Sequence, residues 1–297
     1  MILPNFMIVG AQKSGTTTLY DILAQHSDIY LSSTKESKFF VEEEKYSKGI
    51  EFYSKEYFSK YNGEKAIGEI DPEYIFFEDV PHRLRYDISK DLKLIFILRN
   101  PVARAYSHYL MTYKRGWDDL SFQEAILAEP DRIEQDFFSK HHQSYISRGY
   151  YSKQIKRYLE YFPIENMRFI IMEDDFIQNK EETISNLLDF IGVSKNENID
   201  IYKKSNESSQ PRFKFLRDLI FKPNGVKKLL KPLIPSQKVR YFILMNILDK
   251  INQKPQKDNK LTIEESKEIY EKYYKDEIKD LEKLLNRNLG SWYDSYS

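Results

Sequence analysis

The chain of 297 residues sets 46 basic against 46 acidic side chains and contains no cysteine. Zero net charge removes any general attraction to nucleic acid or to an anionic membrane, and the missing thiols exclude disulfides, thiolate catalysis and cysteine metal sites. With 41% hydrophobic residues, 23 tyrosines and 19 phenylalanines, the chain has material for the core of one large α/β domain.

Phe6 to Val9 is a short continuous apolar run, as in a buried parallel strand. Gly10 and Gly15 bracket a tight loop that carries Lys13, and Thr16, Thr17 and Thr18 lead into Leu19, Ile22 and Leu23 at helical spacing, in a helix running to about Gln25. A strand, loop and helix start in this order gather backbone N–H groups, a helix dipole and a cation at one point, which suits an anion. A polar segment follows to Lys35-Glu36-Ser37-Lys38-Phe39-Phe40, and residues 41 to 64 read as a surface helical stretch with loops. Ala66 to Ile70 is a second strand, broken by Asp71-Pro72, with a short helix over Asp79 to Tyr86. Leu92 to Leu98 is the strongest strand and ends in Arg99-Asn100-Pro101, and a helix starting at the proline carries Arg104, Ser107 and His108. Tyr151 to Phe162 is helical, Met167 to Met172 is a fourth strand, and Glu181 to Ile191 is a helix capped by Gly192.

Alternating strands and helices imply βα units with right-handed crossovers and a parallel sheet. The predicted boundaries are a core over about residues 5–205 with a mostly helical extension, 206–297, packed on it as one domain. Within the extension, 213 to 248 is basic, helical and broken by prolines, 254 to 260 is a lysine-rich loop, and Thr262 to Leu285 is a long helix with a capping-box start at Thr262 and Glu265. Trp292 docks the tail. No basic n-region opens the chain and no apolar run approaches the roughly 20 residues of a membrane span. The expectation is a cytoplasmic protein, at most peripheral to a membrane if its acceptor is lipid-linked, and not a Golgi-type luminal enzyme.

The glycine spacing of Gly10 and Gly15 is that of a nucleoside-triphosphatase P-loop, but Thr16 stands where the lysine belongs and the lysine sits inside the loop at position 13. The cation that reaches the β/γ-phosphates is missing, and the strongest strand ends in an arginine, not in a metal-binding aspartate. Asp174 and Asp175, after the fourth strand, are equally well read as helix-capping residues. Arg99 at the C-terminal end of a buried strand, with Ser107 eight residues on, makes a second anion pocket feasible at the sheet edge where open α/β sheets bind ligands. Arg104 reads as a packing or surface residue, and His141-His142 lacks a third ligand for a metal.

Lys13-Ser14-Gly15-Thr16-Thr17-Thr18-Leu19 resembles the 5′-phosphosulfate loop of sulfotransferases that use 3′-phosphoadenosine 5′-phosphosulfate (PAPS). Leu98 to Pro101 with Arg104 and Ser107 resembles their 3′-phosphate motif, and Lys35 to Phe40 the segment before their acceptor cleft. Gly68 to Tyr74 is similar to a region of heparan-sulfate-type enzymes whose glutamate is the catalytic base. Arg148-Gly149-Tyr150-Tyr151 and the tail around Trp292 fit as well. The likeness covers residues 5 to about 192 and 260 to 293.

The resemblance implies an α/β, P-loop-like three-layer fold with a central parallel sheet flanked by helices. It implies transfer of a sulfuryl group from PAPS to a hydroxyl or amine, with no metal required and with 3′-phosphoadenosine 5′-phosphate (PAP) as product. The acceptor it suggests is a glycan or glycolipid, and oligomeric state is not readable. Lys13, Ser14, Gly15, Thr16, Thr17, Thr18, Arg99, Ser107 and Tyr151 are the expected nucleotide ligands, with Lys13 also catalytic. Glu69 is the expected base, with Asp71 or His108 as alternatives. Lys35 and Asp71 are expected on the acceptor side. Lys254, Lys257 and Lys260 lie where relatives close a basic loop over the 3′-phosphate, and a solvated charge run explains them equally. A P-loop kinase or nucleoside-triphosphatase, and a non-catalytic interaction protein on the same fold, remain as alternative readings.

Overall fold

The computed structural model describes residues 1–195, 199–202, 209–211, 253–255 and 261–296. They fall into two compact units. The first comprises Met1–Arg104, Arg148–Ser205 and Ile263–Ser297, and the second Ala105–Ser147 and Asn206–Thr262.

The first unit is built on five parallel strands, β1 (Phe6–Gly10), β2 (Ile29–Leu31), β3 (Ala66–Ile70), β4 (Lys93–Leu98) and β5 (Met167–Ile171), in the order β2-β3-β1-β4-β5. This is one strand more than the sequence announces. Ile-Tyr-Leu at 29–31 is too short to show a period and pairs only at the sheet edge, against Ala66 to Gly68. The helices follow as α1 (Thr16–Leu23), α2 (Glu43–Tyr46), α3 (Gly49–Tyr57), α4 (Val80–Asp87), α5 (Pro101–Lys114), α6 (Phe122–Gln135), α7 (Phe137–His142), α8 (Tyr151–Leu159), α9 (Lys180–Ile191), α10 (Ile263–Ile269) and α11 (Lys275–Leu285). A π-helical turn, Tyr270–Tyr274, separates the last two, so the predicted long terminal helix is interrupted.

The layers follow from strand parity. Phe6, Ile8, Ile95, Ile97 and Ile170 point to one face and bury Leu19, Ile22 and Leu23 of α1 and Ile184, Leu187, Leu188 and Ile191 of α9. On the other face Phe96 stacks on Phe169 (5.1 Å) and meets Tyr158 of α8 edge-on (5.2 Å). Central strands covered on both faces read as unbroken apolar runs, which is why β1 and β4 are so visible in the sequence. Gly68 admits the Phe6 ring, because a Cβ there would lie 2.1 Å from Phe6 Cζ.

Residues 41–64 are not the surface stretch expected. Tyr53, Tyr57 and Phe58 are buried with Phe39 and Phe40, and the Tyr53 ring lies 4.7 Å from Phe39 and 5.1 Å from Phe40. Their charged neighbours mask the burial in a composition count, because only one side of α3 faces inward.

The end of the chain belongs to the first unit. Trp292 is fully buried, and its Nε1 donates to Glu173 (2.9 Å) while its carbonyl accepts from Asn100 Nδ2 (2.6 Å). Arg287 forks onto Asp175 with two 2.7 Å bonds, so that carboxylate anchors the tail. In the second unit, Ser121 and Glu124 form a capping box on α6, and β6 (Ser209–Pro211) pairs antiparallel with β7 (Gln253–Pro255). The predicted basic helical segment 213–248, with Lys257 and Lys260, lies outside the described residues.

Candidate active site

In an open parallel sheet, ligands bind beyond the carboxyl ends of the strands, where the strand order reverses. Here β1 is that point, flanked by β3 and β4. The segments leaving β1, β3 and β4 carry most of the residues singled out in the sequence.

The loop after β1 is shaped by backbone. Ala11 N–H donates to the Ile97 carbonyl (2.7 Å), pinning the loop to β4. Lys13 (φ 71°) and Gly15 (φ 95°) both lie in the left-handed region. Gly15 precedes α1 without any side-chain cap, so the N–H groups of the first turn, at Thr16, Thr17 and Thr18, have no capping side chain. An uncapped helix start with its dipole is what an anionic group fits. Ser14 and Thr16 are buried, Lys13 and Thr18 are half-buried, and Thr17 is exposed.

Arg99, at the end of β4, turns back onto this loop: its Nη1 donates to the Lys13 carbonyl (3.1 Å). Burial pulls its guanidinium pKa down, against the support of Glu173. Tyr151 is fully buried and its hydroxyl donates to the Arg99 carbonyl (3.0 Å), and that burial pushes its own pKa up to about 12. Asn100 caps α5, its Oδ1 accepting from the N–H groups of Val102 (3.0 Å) and Ala103 (3.1 Å). Ser107 is half-buried on α5 and belongs to the second unit, so its part in a 3′-phosphate pocket is carried by the sequence motif alone.

Lys35 comes to the same helix start. Its Nζ donates to Thr17 Oγ1 (2.6 Å) and pairs with Glu36 Oε1 at 3.3 Å. Lys13, Thr16, Thr17, Arg99 and Lys35 therefore converge through direct bonds or chain neighbourhood on the first turn of α1.

Glu69 is fully buried, and its carboxylate accepts from Ser37 Oγ, Tyr53 OH (2.5 Å) and Tyr74 OH (3.1 Å). Burial raises its pKa while these hydroxyls lower it. Three hydroxyls thus hold the Glu69 carboxylate at the end of β3. Asp71 is also fully buried; its oxygens accept the N–H groups of Lys38 (2.7 Å) and Glu73 (3.1 Å). The Asp71 carboxylate thus ties the turn at 36–38 to the segment after β3. His108, the other alternative base, is fully buried and packs edge-on against Tyr145 (5.2 Å).

Glu36 is the carboxylate that the sequence reading passes over. It is half-exposed, has φ 59°, and stands beside Lys35 at the start of α1. Its position between two lysines in the acceptor-side motif is a signal, but its left-handed backbone and its pairing with the Lys35 that bonds Thr17 are legible only in three dimensions. Gln12 and Arg148 are two further links. Glu73 accepts Gln12 Nε2 (2.6 Å) on one oxygen and the buried Arg148 Nη2 (2.6 Å) on the other, tying the loop to the segment after β3. Arg148 also lies over the Phe76 ring at 4.4 Å.

A family model described as a sulfotransferase domain matches residues 3–217, well over half of the chain. The chain belongs to the sulfotransferase family. The members of that family generally use PAPS as sulfate donor. The crystal structure of a sulfotransferase from Alicyclobacillus acidocaldarius superimposes with a TM-score of 0.68 at 25% identity, covering 98% of this chain and 99% of that one. The mouse heparan sulfate glucosamine 3-O-sulfotransferase 5 is 32% identical over 171 residues, 57% of this sulfotransferase and 47% of the relative. The Dictyostelium discoideum membrane-associated sulfotransferase kil1 is 38% identical over 142 residues, 45% and 30% of the two chains. The chain thus spans about half the length, or less, of the curated relatives it matches.

Membership in this family replaces the kinase reading, as the misplaced lysine had suggested. The P-loop-like three-layer fold is as expected. The expectation of a cytoplasmic protein, however, does not stand, because a relative of this similarity is membrane-associated. Among the described residues no helix is long and apolar enough to cross a membrane. The physical reason for the error is that the charge and apolar content of a globular domain follow from folding in water and are alike in every aqueous compartment, so they carry no address.

Proposed function

We propose that this sulfotransferase moves a sulfuryl group from PAPS to a hydroxyl or amine of a glycan, free or lipid-linked. The observation that carries the reading is the convergence of the uncapped α1 start, Lys13, Arg99 and Lys35. A glycan is favoured as acceptor because relatives are named for heparan sulfate glucosamine.

Gly15, Thr16, Thr17 and Thr18 would hold the 5′-phosphosulfate on the helix start, Arg99 would hold the 3′-phosphate, and Tyr151 would support Arg99 through its carbonyl. PAPS supplies the sulfuryl group. Glu69, at the end of β3, is the base in this reading, and its burial raises its pKa: as the acceptor oxygen or nitrogen bonds to sulfur, the carboxylate takes its proton. Lys13 and the first-turn amides of α1 stabilise the negative charge left on the 5′-phosphate oxygen as its bond to sulfur breaks. Lys35, bonded to Thr17 and paired with Glu36, stands at the donor side of the site.

The test is label transfer from sulfur-35 PAPS to N-sulfated heparosan, to a glycolipid and to a simple phenol, using the wild type and Glu69→Gln. Transfer to the glycans, lowered at least about a hundredfold in Glu69→Gln, is the expected result. Transfer to the phenol alone would refute the glycan assignment, and Glu69→Gln at the wild-type rate would remove Glu69 as base. A melting temperature unmoved by PAP would overturn the nucleotide assignment itself.

A further inference from the structure

The peptide that joins Arg99 to Asn100 is held at both edges. Its carbonyl, on Arg99, accepts from the Tyr151 hydroxyl (3.0 Å), and its N–H, on Asn100, donates to Glu173 Oε1 (3.1 Å). A peptide is planar, so bonds on opposite edges fix its rotation. They therefore hold the backbone from which the Arg99 side chain extends.

Both grips lead to one side chain. Trp292 donates through Nε1 to the second oxygen of Glu173 (2.9 Å), and its ring lies 6.0 Å from that of Tyr151. Its carbonyl accepts from Asn100 Nδ2 (2.6 Å), which also reaches the Tyr296 hydroxyl (3.1 Å). Trp292 is fully buried, and all of these residues belong to the first unit. A phenylalanine would pack in the same place without the N–H, so what the indole adds is the bond to Glu173.

Glu173 is informative through its charge. Burial pulls the Arg99 guanidinium pKa down, and the Glu173 carboxylate opposes this. Beside a phosphate site, however, a carboxylate repels the ligand. Its presence there is explained by what it holds in place.

We propose that Glu173 and Trp292 are positioning residues, which grip the Arg99–Asn100 peptide and so aim Arg99 at the 3′-phosphate of the nucleotide. This rests on reading Arg99 as the 3′-phosphate ligand. Arg287 supplies the internal control, because it anchors the same tail through Asp175 and not through that peptide.

The experiment titrates PAP, and adenosine 5′-phosphate, which lacks the 3′-phosphate, into the wild type, Glu173→Gln, Trp292→Phe and Arg287→Met by calorimetry. PAP affinity should fall about tenfold or more in the first two variants, with adenosine 5′-phosphate affinity within about twofold of wild type. Removal of the Glu173 charge would by itself tighten an anion, so weaker PAP binding in Glu173→Gln reports position. Arg287→Met should lower the melting temperature and keep the preference for PAP. In sulfuryl transfer, the KM for PAPS should rise in the first two variants while the KM for the acceptor stays the same. Unchanged or tighter PAP binding in Glu173→Gln or Trp292→Phe, an equal loss of adenosine 5′-phosphate binding, or the same loss of PAP preference in Arg287→Met would each overturn the proposal alone. A wild type that does not prefer PAP over adenosine 5′-phosphate would overturn the reading of Arg99 itself, and the proposal with it.

Discussion

The loop after β1 and the turn after β2 do similar work by opposite means. Both place two consecutive-but-one residues in left-handed conformation, Lys13 and Gly15 in one, Glu36 and Lys38 in the other. The first is held by backbone, through Ala11 on Ile97 and the Lys13 carbonyl on Arg99. The second is held by buried carboxylates, Glu69 and Asp71. A backbone-held loop leaves its amides for an anion and asks for glycine at the tightest point. The carboxylate-held turn has no glycine; its Ser37 side chain points inward to Glu69 while Lys35 and Glu36 stay partly exposed.

The two regions are linked through Glu73 and Asp71: Glu73 accepts from Gln12 of the loop and from Arg148, and its N–H donates to Asp71, which also accepts from Lys38 of the turn. The largest stability effect should therefore come from Arg148→Met, which removes the guanidinium from the buried Glu73 carboxylate. A loss of about 3–5 kcal/mol in urea unfolding is expected. A loss under 1 kcal/mol would mean that the junction is not shared. Lys13→Ala should come next, cutting sulfuryl transfer about a hundredfold, equivalent to roughly 2.7 kcal/mol, with little change in melting temperature. If that variant unfolds instead, the loop depends on lysine for structure and the contrast with the carboxylate-held turn is blurred.

Gly68→Ala tests the ground beneath both regions, because its Cβ would meet the Phe6 ring at 2.1 Å. Overpacking between β1 and β3 should cost about 1–3 kcal/mol, read from the denaturation midpoint.

The smallest effect is a slope. Burial, reinforced by Glu69, Glu73 and Glu36, pushes the Asp71 carboxyl well above its ordinary range. The folded protein thus holds this proton more tightly than the unfolded chain. Its stabilising contribution is complete below the unfolded carboxylate pKa of about 4 and is lost as pH rises through the folded value. Asp71→Asn should lose a hydrogen bond at every pH but show less decline above about pH 4, so that its deficit against wild type narrows in midpoints measured across pH. A deficit constant with pH would place the titration elsewhere.

The residues proposed for the nucleotide stand out in the sequence because each has a local signature. Gly10 and Gly15 at fixed spacing, Arg99 after an apolar run and Pro101 at a helix start are all readable without a partner. The surroundings of the acceptor side were not legible. Glu69 and Asp71 stand at a strand end in the sequence, but their burial and the partners Ser37, Tyr53 and Lys38 come from segments that no local pattern links to them. His108 is a further case, a residue suited to proton transfer that the fold buries against Tyr145. The edge strand Ile29–Leu31 and the buried aromatic cluster of residues 39–58 escaped notice because neither has a period long enough to read.

The sequence by itself determined the parallel α/β order, the position of the anion loop and the family, because these rest on short-range patterns of apolar runs, glycines and a misplaced lysine. Tertiary structure decided which carboxylate is exposed, why Lys35 reaches Thr17, and that Glu69 faces inward. Those are facts of burial and of contacts such as Lys35 with Thr17 and Ser37 with Glu69, 18 and 32 positions apart, and no local pattern encodes them.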